Sequence, residues 1–133
     1  MSTIKSFTDI PQSKKLAEIL PLESADQTWE RVAIAGANLD VPEELQYRHN
    51  GDMPFQYYSG IGIPCWSLSA LLGVLPKNLD IGRPILAINY RGYYWVSYFD
   101  EYMKENFHLK KIYDNPIDAC VDMIEHLHEL KML

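Results

Sequence analysis

The chain has 133 residues, 47% of them hydrophobic and 23% charged, with 12 Lys plus Arg against 18 Asp plus Glu for a net charge of −6. That length suits a single α+β domain spanning 1–133 that folds around its own core without a disulfide or metal, and the composition argues against disorder. The acidic balance, with no run of Lys or Arg longer than two, argues against nucleic acid as a partner, because that affinity rests on neutralising phosphates.

The first residues, Met1 to Phe7, lack the apolar core of a secretion signal. No window approaches the ~18 apolar residues of a membrane span, so no membrane partner and a cytoplasmic location are expected. Asp9 followed by Gln12 has the form of a capping box, with Pro11 in the first turn where its missing N–H costs nothing. Leu16, Ile19 and Leu20 recur at helical spacing until Pro21, which predicts a helix over about 10–20. Thr28 to Ile34 is β-branched and aromatic enough to predict a strand.

From Gly36 to Ile63 the helical period disappears, and Pro and Gly cluster among aromatics. Asn50-Gly51 is a strong hairpin signal, because both residues accept positive φ. Its expected arms are Leu45 to Arg48 and Phe55 to Tyr58, inside a long irregular loop. A helix is predicted to open at Pro64 and to run to Leu75 on Trp66, Leu68, Leu71 and Leu72, with Pro76 stopping it.

Ile85 to Tyr90 and Tyr93 to Phe99 form the best strand pair, joined by a two-residue Arg91-Gly92 connection, and 107–112 offers a third strand. Pro116 to Leu130 closes the chain as an amphipathic helix capped by Asp114 or Asn115. Its stripe is Ile117, Cys120, Val121, Ile124 and Leu127, with Met123 and Leu130 at its margin, opposite a solvated face holding Asp118, Asp122, Glu125, His126 and Glu129. Hairpins imply antiparallel pairing and the helices need a face to cover. The expected fold class is therefore α+β, an antiparallel sheet with amphipathic helices packed on one face in a two-layer sandwich.

No residue pattern demands a cofactor. His126 and His128 lie two apart on a helix and point roughly 200° apart, so they cannot share a metal ion, whereas Asp122 and His126 are spaced for a helical ion pair. Ser67 and Ser69 match no nucleophile elbow, and the glycines make no phosphate cradle. Cys65 and Cys120 stand in separate apolar segments without CxxC spacing, which favours two buried free thiols.

Aromatic density is the feature that points outward. On the strong hairpin, strand alternation puts Tyr94, Val96 and Tyr98 on one face and Tyr93, Trp95, Ser97 and Phe99 on the other. Only one face can meet the helices, and exposed Tyr and Trp are the types that carry interface energy. Tyr57, Tyr58, Tyr93, Trp95 and Arg91 are therefore the candidate binding residues for a protein partner or a homo-oligomer, in a non-enzymatic role. The competing expectation is a small-molecule binder or small hydrolase with a pocket between the central loop and the sheet. Its suspects are Arg48, His49 and Asp52, gathered around the Asn50-Gly51 turn.

The segments Gln12 to Pro21, Ile63 to Leu72 and Asn115 to Leu130 together resemble a group of small proteins of gut bacteria and their phages or mobile elements. The resemblance covers the helical parts of the chain and brings no activity, cofactor or functional residue. It implies context only, that of an accessory protein.

Overall fold

The computed structural model describes residues 5–31, 45–49, 62–77, 82–89, 91–100, 102–109 and 111–133. Among these the fold is α+β, with three helices and two small antiparallel sheets. Helix α1 spans Ile10–Ala17, α2 Leu68–Val74 and α3 Pro116–Glu129. Strands β1 (Gln27–Arg31), β2 (Leu45–His49) and β3 (Gly62–Cys65) form a sheet in the order β2-β1-β3. Strands β4 (Arg83–Ile88), β5 (Tyr94–Phe99) and β6 (Glu105–His108) form another in the order β4-β5-β6. The strands thus divide between two sheets where the sequence pattern suggests one.

Helix α1 starts where its capping box says it should. Asp9 accepts from the Gln12 N–H at 2.8 Å, and the Gln12 side chain accepts from the Asp9 N–H at 3.1 Å, so two orphan donors are satisfied reciprocally. Helix α2 begins later than Pro64 suggests. Pro64 and Cys65 belong to β3, paired with Thr28 and Gln27 of β1, and Ser67 caps the helix by accepting from the Ala70 N–H at 3.2 Å. The Ser67 hydroxyl donates in turn to Asp26, whose carboxylate also takes the Ser67 N–H, so the cap is anchored from outside the helix.

Strand β2 lies against β1 in the register Gln27↔His49 to Arg31↔Leu45. The proposed Asn50-Gly51 turn and its Phe55 to Tyr58 arm lie outside the described residues.

Strand β5 is bracketed by two turns of the same construction. Before it, Asn89 N–H donates to Tyr93 C=O, Gly92 N–H returns to Asn89 C=O, and the Asn89 side chain accepts from the N–H groups of Arg91 and Tyr93. After it, Asp100 N–H donates to Lys104 C=O, Met103 N–H returns to Asp100 C=O, and the Asp100 side chain accepts from Tyr102 and Lys104. Both are three-residue loops whose last residue has positive φ, 84° at Gly92 and 61° at Met103. The first corrects the two-residue connection suggested by Arg91-Gly92: the Asn89 side chain closes a longer turn, and the ladder starts at Ile88↔Tyr94. Gly82, at φ 103°, leads into β4 where a Cβ would lie 2.1 Å from the Phe99 carbonyl oxygen, so no other residue fits there.

One apolar cluster joins the three helices to the β4-β5-β6 sheet. It includes Leu16, Trp66, Leu71, Val96, Tyr98 and the inner side of α3. Each such side chain contributes about 1.5–3 kcal/mol when withdrawn from water. Helix α3 carries the predicted stripe of Ile117, Cys120, Val121, Ile124 and Leu127, all buried, but Ala119 and Met123 are buried as well. The helix packs against α1, α2 and β5, so it is enclosed on several sides.

Its polar residues accordingly find protein partners. Asp122 accepts from the Tyr113 hydroxyl at 2.6 Å in place of the expected pairing with His126, whose ring stacks on Phe107 at 5.7 Å. Glu125 meets Lys15 of α1 at 3.1 Å.

Candidate interaction surface

The second sheet has one face committed to the core. Val96 and Tyr98 are buried there, Leu86 and Tyr94 pack on the same cluster, and Tyr98 donates its hydroxyl to Pro76 C=O at 3.1 Å. Backbone alternation then turns Ile85, Ala87, Trp95 and Ser97 to the other face. On that face Ile85 is 37% exposed and Tyr93 39%, while Ile88, opposite Tyr94 on the core side, is 57% exposed at the end of β4. Trp95 is half-buried, and Arg91 is exposed in the turn. Tyr93, Trp95 and Arg91 are therefore brought to one hairpin.

Ser97 lies between these residues, fully buried, and its hydroxyl has no hydrogen-bond partner among the described residues. Its cross-strand neighbours are Ile85 and His108.

The other candidates are not gathered with this hairpin. Arg48 and His49 stand on β2, opposite Thr28 and Gln27 in the first sheet. Tyr57, Tyr58 and Asp52 lie outside the described residues. Sequence reasoning missed Tyr102 and Met103, which are 83% and 69% exposed in the turn beyond β5. A signal was present in principle, since Tyr-Met interrupts a turn that is otherwise charged, Asp-Glu before it and Lys-Glu after it.

The thiols do not offer chemistry. Cys65 sits in a buried polar knot: its Sγ donates to Thr8 C=O at 3.4 Å, and the Thr8 hydroxyl contacts Ser13 at 2.7 Å. Burial pushes the Cys65 thiol up to about 11 despite these hydrogen bonds, and burial alone pushes Cys120 up to about 12. Both are free cysteines held as neutral thiols, a poor state for a nucleophile. Among the described residues no group of three or more His, Cys, Asp or Glu is placed to hold a metal ion, and no helix is long and apolar enough to cross a membrane.

What the hairpin surface can do is bury apolar and aromatic area against another chain. Comparison with protein-family models, with curated proteins and with solved structures finds no match to this chain.

Proposed function

We propose that this chain is a non-enzymatic cytoplasmic module, a single α+β domain that binds a protein or associates with itself through the β4–β5 hairpin surface. The observation that carries this reading is the unequal treatment of the two faces of β5. One face of β5 is covered by core, while on the other Tyr93 and Ile85 are open beside the half-buried Trp95 and Ser97 is buried. Large apolar groups gathered on one exposed surface are characteristic of contact sites. Tyr and Trp add rigid area with a polar tip, which suits an interface that is wet when free. The role of an accessory protein in bacteria or their phages belongs to the same reading and rests on the resemblance of the helical segments.

The test compares wild-type chain with Tyr93→Asp, both confirmed as folded by circular dichroism. Each is used as bait in a bacterial lysate and followed by light scattering for self-association. The reading expects a captured protein or a larger assembly that is lost in Tyr93→Asp. Identical behaviour of the two chains in both assays would sink it.

A further inference from the structure

We propose that β4 is a dimerisation strand: two copies of this chain pair their β4 strands antiparallel, merging two three-stranded sheets into one of six. The proposal rests on the reading of this hairpin as an association surface and names the partner as a second copy.

The register decides which backbone groups of β4 are spent on β5. Asn89 N–H bonds Tyr93 C=O at 2.9 Å, so that pair belongs to the hydrogen-bonded set. Hydrogen-bonded and non-hydrogen-bonded pairs alternate along an antiparallel ladder. With the register running from Ile88↔Tyr94 to Arg83↔Phe99, the residues bonded to β5 are Ala87, Ile85 and Arg83. Pro84, Leu86 and Ile88 direct their backbone polar groups away from the sheet. Pro84 supports the assignment independently, because a residue without an N–H is tolerated in a ladder only where its nitrogen faces outward.

No strand lies beyond β4 among the described residues. Sheet edges left open are usually blunted by charge, by a bulge or by proline on the edge, and Arg83 and Pro84 do so only at the start of β4. After Pro84, β4 reads Ile-Leu-Ala-Ile, with neither charge nor bulge, and ends on the most exposed of these residues, Ile88. Such an edge is a template for another strand.

The pattern is complementary to itself. Centring two antiparallel copies on Ala87 sets Leu86 of each opposite Ile88 of the other, both as hydrogen-bonded pairs. The four outward N–H groups of Leu86 and Ile88 then meet their four outward C=O groups, and Pro84 falls outside the paired stretch. Ala87 meets Ala87 of the second copy in the non-hydrogen-bonded position, where backbones approach most closely and a small side chain is needed. Ile88 gains Leu86 of the second copy as its cross-strand neighbour, which covers the most open side chain of the Ile85–Ile88 stretch.

Sedimentation velocity over a range of concentrations, joined to oxidative cross-linking, tests this. Wild type is expected to shift from one chain to two as concentration rises. Ile88→Pro removes two of the four inter-chain bonds and no β4–β5 bond, and is expected to remain monomeric. Ile88→Lys, which places charge on the edge, serves where proline perturbs the hairpin. Ala87→Cys is expected to form a disulfide-linked dimer, since its two thiols would sit on Cα atoms about 4.5 Å apart, within the range a disulfide tolerates. Ile85→Cys, opposite Asn89 of the second copy, is expected not to do so.

A dimer that survives both Ile88 variants, or that does not cross-link through Ala87→Cys, overturns the β4 pairing while leaving self-association itself in place. A wild-type chain that stays monomeric at every concentration also overturns it. Tyr93-dependent capture of a different protein would then sustain the broader reading with another occupant.

Discussion

Met103 occupies the position in its turn that Gly92 occupies in the matching turn at the other end of β5. Both have positive φ, but only glycine reaches that region without steric cost. Met103 is also largely exposed, so packing does not compensate for the strain. Met103→Gly is expected to raise unfolding free energy by about 1 kcal/mol, read as a higher urea midpoint at unchanged slope. An unchanged or lower midpoint would mean that the turn holds Met103 by contacts beyond its backbone bonds. Lys131, at φ 60°, closes α3 in a related way, with Met132 N–H reaching back to Leu127 C=O at 2.9 Å. The thiols give a second expectation at this scale. Burial raises both Cys65 and Cys120, so the neutral form dominates at and above neutral pH. A thiol-specific disulfide reagent should label neither in the folded chain and both in denaturant; rapid labelling of native protein would contradict the packing described for them.

At the scale of elements, the N-termini of α1 and α3 are tied together by one lysine. Lys5 Nζ donates to Asp9 at 2.9 Å, Gln12 at 3.1 Å and Asp118 at 2.8 Å, while Gln12 and Asn115 also donate to Asp118. Partial burial opposes the Asp118 charge, but the hydrogen bonds from Lys5, Asn115 and Gln12 outweigh it and hold its carboxyl below the ordinary range. A lowered carboxylate stabilises the fold above its unfolded-state value and loses that contribution as pH falls through the folded value. Wild type should therefore lose thermal stability steeply below about pH 4, and Asp118→Asn should start lower and fall less steeply. Parallel acid limbs for the two chains would remove Asp118 from the account.

Much of this level was legible in the sequence. Asp9 with Gln12, Asn115 before Pro116, and the stripe from Ile117 to Leu127 are local patterns whose physics is complete within a few residues. The start of α2 was not legible in the same way. Pro64 is as compatible with a strand as with a first helical turn, and its pairing with Thr28 is a long-range choice. Nor could sequence show that Asp122 would meet Tyr113, because that contact depends on the backbone bridge between Tyr94 and Tyr113.

For the molecule as a whole, the alternation of Tyr94, Val96 and Tyr98 against Trp95 and Ser97 was readable from period alone, but which of the two faces meets the core was not. The division into two sheets was not, since strand order is set by which edges meet. The same limit hid the β4 edge: Pro84 becomes informative only once the register shows its nitrogen facing outward. Tyr102 and Met103 interrupt a charged stretch, but that stretch becomes a turn that exposes them only through the Asp100 backbone and side-chain bonds. Amide hydrogen exchange followed by NMR at increasing protein concentration tests the association surface most directly. The Leu86 and Ile88 amides, which point away from β5, are expected to slow as concentration rises, while Ile85 and Ala87, already bonded to β5, stay constant. Fast exchange at Leu86 and Ile88 that does not respond to concentration would contradict the β4 pairing.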